Sequence, residues 1–137
     1  DLVQHFGSRT DLAANTYCVT RCSVGHPWQA PVITCFADYF HLSPCGKKAI
    51  DAHEQVHVRQ FLDRCSSYMD CLALSRFFAD SLECEAWMDT ETAIKRLQKD
   101  PCCQSSRDQQ DLRQLLRATI HENIPYFCGW RKIVPIL

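Results

Sequence analysis

Ten cysteines in 137 residues constrain this chain more than any other feature. They are Cys18, Cys22, Cys35, Cys45, Cys65, Cys71, Cys84, Cys102, Cys103 and Cys128, spread along the whole length. Their density is near that of disulfide scaffolds and predicts crosslinks made in an oxidising compartment. Zinc sites built from cysteine usually need repeated C-x2-C pairs. The nearest pairs here, Cys18/Cys22, Cys65/Cys71 and Cys102-Cys103, do not have that spacing. Ten cysteines admit about 945 full pairings, so connectivity stays open. A chain of this length buries roughly two-thirds of its unfolded surface and does not need staples to fold. The bridges therefore suggest resistance to a secreted, extracellular or periplasmic environment. One domain over residues 1–137 fits the length.

Fifteen Lys+Arg against sixteen Asp+Glu give a net charge of −1. A general nucleic-acid binder would show a basic excess, so that class of partner is excluded. No stretch approaches the ~20 apolar residues of a membrane span. The chain begins Asp-Leu-Val-Gln, with no charged segment followed by an apolar one. The expectation is a secreted protein whose leader is already removed, or an excised domain.

Along the chain, Asp11 to Asn15 reads as a short helix and Val32 to Tyr39 as a strand rich in β-branched and aromatic residues. Pro44-Cys45-Gly46 breaks that strand. From Lys47 to Arg64, the spacing of Ile50, His53, His57, Phe61 and Arg64 predicts a helix. Cys65 to Cys71 reads as a loop that its two cysteines can tie down. Ser75 to Gln98 reads as one long helix, ended by Asp100-Pro101. A third helix runs from Asp108 to His121 or Glu122 and stops at Pro125, and a strand-like tail follows from Tyr126. The fold class is α+β, helix-dominated and disulfide-stapled.

Within the first of these helices, residues 53–57 read His-Glu-Gln-Val-His. Residues i and i+4 of a helix project from one face, so the two imidazoles can grip one Zn²⁺. Glu54 then projects beside the metal, where it can act as general base on an activated water. A third protein ligand is needed. The pattern H-E-x-x-H-x-x-G-x-x-H would take it six residues past His57, but Gln60 replaces its glycine and Asp63 its last histidine. Asp63 lies on the wrong face of a continuing helix. On the second helix an inward stripe drawn through Leu74, Phe78, Leu82, Glu85, Asp89 and Ala93 carries two carboxylates at i and i+4. Buried carboxylates need a cation or donors. Glu85 is the expected zinc ligand, Asp89 the expected acceptor for a ligand histidine's free N–H, and Glu83 a second candidate ligand.

H-E-x-x-H on one helix with E-x-x-x-D on the next resembles the gluzincin, thermolysin-like branch of the zincin metallopeptidases. The resemblance covers about residues 32–95. It implies a small zincin-like fold in which His53, His57 and Glu85 bind one Zn²⁺, Glu54 is the base and Asp89 supports a histidine. It also implies an edge strand, Val32–Tyr39, packed on the active-site helix, with substrate extended along it. Such enzymes add a Tyr or His that steadies the oxyanion, and His121 and Tyr126 are the candidates. His41 and Tyr39 border the strand and can touch substrate. His5 and His26 read as surface residues, and Trp28, Trp87 and Trp130 as packing.

The expected activity is zinc-dependent hydrolysis of peptide bonds in a protein or peptide substrate. The enzyme would be secreted or be the toxic domain of a delivered protein, the latter with a cognate inhibitor or immunity protein. The alternative is a non-enzymatic, cysteine-rich secreted binding module with an incidental or structural metal site. A zincin fold acting on something other than protein is a third possibility. Glu54 discriminates between enzyme and module, because a structural metal site has no use for a base beside it.

Overall fold

The computed structural model describes residues 17–24 and 28–133, with side chains through Gly129. The expected helix at 11–15, His5, His26 and the side chain of Trp130 lie outside the described residues. Among the described residues the chain is helix-dominated, with one small sheet and four disulfides. The elements are β1 (Cys18–Arg21), β2 (Val32–Cys35), α1 (Ala37–Phe40), α2 (Pro44–Arg64), α3 (Tyr68–Phe77) and α4 (Ala79–Gln98). A 3-10 turn at Pro101–Cys103, α5 (Ser106–Ala118), a π-helical turn at Thr119–Asn123 and α6 (Ile124–Ile133) complete the order.

Helix α2 is the axis of the molecule. Ser43 caps it by accepting from the Gly46 N–H at 3.1 Å, and Pro44 fills the first turn, where its missing N–H costs nothing. Two carboxylates of α5 take further N–H groups at this end: Asp111 from Ser43 at 2.7 Å and Asp108 from Cys45 at 3.0 Å. Negative charge at a helix N-terminus is favourable, so these bonds lock α5 to the start of α2. They hold the Asp108 carboxyl below its usual range, chiefly through the Cys45 N–H. A Cβ on Gly46 would meet Ser43 Oγ at 3.2 Å and Asp111 Cβ at 3.3 Å, so the close approach of α5 favours glycine there. The Cys45–Cys103 disulfide ties the same region to the 3-10 turn.

The core has three parts. Ala49, Ile50, Ile94, Leu112 and Leu115 join α2, α4 and α5. Val19, Trp87, Ile124, Phe127 and Cys128 join β1, α4 and α6. Phe61, Cys65, Cys71 and Leu82 join α2, α3 and α4. Phe61 is 0% exposed. Phe61→Ala is expected to cost about 3–5 kcal/mol, read as a lower urea midpoint with the disulfides intact.

The sequence reading and the structure differ in identifiable places. The strand from Val32 ends at Cys35, and Ala37–Phe40 is helical. β2 pairs antiparallel with β1, with Cys18 opposite Cys35 and Arg21 opposite Val32, and the Cys18–Cys35 disulfide joins that facing pair. Residues Cys18, Val19 and Thr20 are all buried, so β1 is covered on both faces, and it is β1 that reaches Glu54. Cys65 and Cys71 do not tie a loop together: Cys71 bonds to Cys22, and Cys65 is a buried free thiol. Cys102 is also free. The long helix expected from Ser75 is two helices separated at Phe78, whose φ of −125° and ψ of 21° are not helical.

The strand-like tail is instead α6. Pro125 does not stop the third helix because the π-helical turn precedes it, with the Ile124 N–H reaching back five residues to the Thr119 carbonyl. The wider turn leaves Pro125 at the second position of α6, near the start, where proline is tolerated. Gly129, at φ 28° and ψ −120°, then kinks the helix, a conformation costly for a residue with Cβ.

Candidate metal centre

His53 and His57 stand one turn apart on the buried face of α2, and Glu83 faces them from α4. One ligand atom from each lies within 4.8 Å of the others. His53 Nε2 is 3.2 Å from Glu83 Oε1, and His57 Nε2 makes a short contact with the same oxygen. Both imidazoles thus aim the same nitrogen at one point. The three side chains are at most 2% exposed.

The outer bonds fix the histidine tautomers. Thr90 gives its hydroxyl proton to the Ala86 carbonyl at 2.6 Å, so it accepts from His53 Nδ1–H at 3.0 Å. Gln60 spends both amide protons, on the Leu82 carbonyl at 3.0 Å and on Glu85 Oε1 at 2.8 Å. Its Oε1 therefore accepts from His57 Nδ1–H at 2.7 Å. These bonds keep a proton on each Nδ1 whatever the charge of the ring, so Nε2 is the nitrogen that each imidazole would offer a metal. Trp87 lies against His53, with ring centroids 4.0 Å apart.

Charge is balanced within the cluster. Burial alone would neutralise the Glu83 carboxyl, but the His57 and His53 imidazoles outweigh it and hold its pKa low. Burial likewise opposes charge on His57, and Glu83 overcomes that and raises its pKa. Glu83 Oε2 is buried without a hydrogen-bond partner. Two imidazole nitrogens and a carboxylate with an unmatched oxygen fit a divalent cation. The three residues can hold one.

Glu54 sits beside this cluster at 3% exposure. Its Oε1 accepts from Thr20 Oγ1 at 2.8 Å. Burial raises its pKa, against the lowering effect of His53 and His57.

Of the expected residues, the structure brings His53, His57 and Glu54 together. It does not bring Glu85 to the histidines. Glu83 faces them instead, while Glu85 is exposed, bonds Gln60 and lines an open cleft with Arg64, Leu74 and Phe78. Asp89 is also exposed, 3.9 Å from Arg59, and the acceptor it was expected to provide is Thr90. The reason is a phase error of the stripe: with α4 starting at Ala79, its buried residues are Leu82, Glu83, Ala86, Trp87, Thr90 and Ile94. His121 is exposed and Tyr126 is 50% exposed, so neither expected oxyanion group is buried with the cluster. Tyr39 gives its hydroxyl proton to Asp51 at 2.8 Å, and His41 is exposed. Gln60 and Thr90, which the motif spacing does not mark, hold the two ring N–H groups.

Thr90→Val keeps the shape and deletes the acceptor. It is expected to weaken Zn²⁺ binding about 10–100-fold, measured by competition with a chromophoric chelator.

No family model, curated protein or solved structure matches this chain.

Proposed function

We propose that this protein is a zinc-dependent hydrolase of peptide bonds. The observation that carries the reading is Glu54, a second buried carboxylate held by Thr20 next to a two-histidine, one-glutamate cluster. His53, His57 and Glu83 would hold the ion. Zinc, when bound, polarises a carbonyl and acidifies water. Glu54 does the proton work: its Oε1 is occupied by Thr20, which leaves Oε2 to take a proton and pass it to a leaving amine. Burial raises the proton affinity of this carboxylate, the direction that favours a general base. Thr90 and Gln60 hold the imidazoles in orientation throughout.

Four disulfides fit an oxidising, extracellular setting, and no helix among the described residues is long and apolar enough to cross a membrane. We place the activity in a secreted enzyme or in the toxic domain of a delivered protein, whose producer would need a cognate inhibitor.

A second reading is favoured by the near-complete burial of His53, His57 and Glu83. It is a closed metal site that stabilises a non-catalytic, cysteine-rich binding module. One experiment separates the two. The enzyme is expected to purify with one zinc per chain and to cleave an unfolded protein substrate. Chelation should abolish cleavage, and added Zn²⁺ should restore it. Stoichiometric zinc with no cleavage favours the module, and failure to bind zinc at all removes both readings.

A further inference from the structure

The open cleft that Glu85 lines holds about 360 Å³, at the small end of the range for ligand pockets. Its walls come from the C-terminal end of α2, from α3 and from the start of α4. Helices α2 and α4 run antiparallel, since His53 meets Thr90, His57 meets Glu83 and Gln60 meets Leu82. As the α2 wall advances from Gln60 to Arg64, the α4 wall runs back from Glu85 to Ser81. Arg64 therefore stands toward the Ser81 end of the cleft and Glu85 toward the other.

The two ends differ in charge. No ion pair joins Arg64 to Glu85, and among the described residues neither forms one elsewhere. Glu85 is nonetheless held in place. Gln60, itself fixed on the Leu82 carbonyl, donates to Glu85 Oε1 at 2.8 Å and leaves Oε2 for a second donor. Ser81 is exposed in the first turn of α4, a helix with no side-chain cap at Phe78, so negative charge is favoured at that end. The rest of the lining is apolar. It consists of Leu74, the buried Leu82 and Phe78, which is 56% exposed.

We propose that this cleft binds a free α-amino acid with an apolar side chain. The ligand's carboxylate pairs with Arg64 and the Ser81 hydroxyl, and its ammonium donates to Glu85 Oε2. Its side chain covers Leu74, Phe78 and Leu82. Ser81 and Glu85 are four residues apart, about 6 Å along the helix, which a carboxylate and an ammonium on one carbon span with a hydrogen bond at each end. The inference stands whether or not the metal cluster is catalytic.

The test is an amide-resolved NMR titration of the zinc-loaded protein with four probes: L-phenylalanine, glycine, N-acetylphenylalanine and phenylalaninamide. L-Phenylalanine is expected to bind with a Kd of about 1 mM and to shift the amides of the cleft residues. Glycine, without an apolar group, should bind about 10-fold more weakly. The two blocked forms stand for the last and first residues of a peptide, and each should also bind about 10-fold more weakly. Glu85→Gln keeps an oxygen for the Gln60 amide and should bring phenylalanine and N-acetylphenylalanine within about 2-fold of each other. Arg64→Gln should do the same for phenylalanine and phenylalaninamide. Both side chains are exposed, so neither change threatens the fold. A blocked form or glycine binding as tightly as phenylalanine overturns the assignment. So does discrimination that survives in the variants, or a titration that leaves the cleft amides unmoved.

Discussion

Glu83→Gln is expected to weaken Zn²⁺ binding by more than about 100-fold, whereas Glu85→Ala weakens it by about 10-fold or less. The two carboxylates are two residues apart on one helix, yet their environments differ completely. Glu83 is 0% exposed and faces both Nε2 atoms. Losing its charge removes the carboxylate that both Nε2 atoms face. Glu85 is exposed and accepts from the Gln60 amide. Its removal frees one amide proton and loosens His57 at second hand. Chelator competition at fixed pH measures both constants. The reverse ranking would return the third ligand to Glu85.

Glu54→Gln is expected to keep one zinc per chain and to lose about 100- to 10,000-fold in kcat on an unfolded protein substrate. The amide oxygen still accepts from Thr20, so the side chain stays in place. What disappears is the ability to take a proton. Thermal stability should not fall, because the buried carboxylate is replaced by a neutral group of the same shape. Hydrolysis at the wild-type rate in this variant would strip Glu54 of its role and leave the metal assignment standing.

The histidine pair was legible because its placement is local: residues i and i+4 of one helix share a face. The carboxylate that faces the pair was not, because it depends on the rotational phase of α4. A stripe carried through from Leu74 assumes an unbroken helix, and Phe78 breaks it. Trp87 and Ile94, both buried, held the missing signal: a stripe centred on them includes Glu83 and leaves out Glu85 and Asp89. The helical class and the crosslinked character could be read from spacing and composition. The pairing of Cys22 with Cys71 or Cys84 with Cys128 could not, since it is set by which helices pack together. The fate of Pro125 was hidden for a different reason. A π turn has no composition signature, and proline ordinarily signals a stop.

The disulfides close loops of 17, 49, 58 and 44 residues. In the chain-entropy account each loop of this size stabilises the native state by about 3–4 kcal/mol, by restricting the disordered chain. Such crosslinking separates architecture from ion capture. A zinc finger collapses when stripped, because the metal is its fold. Here the crosslinked protein is expected to keep its shape when stripped of metal, with His53 and His57 still oriented by Thr90 and Gln60, so that loading and unloading are reversible.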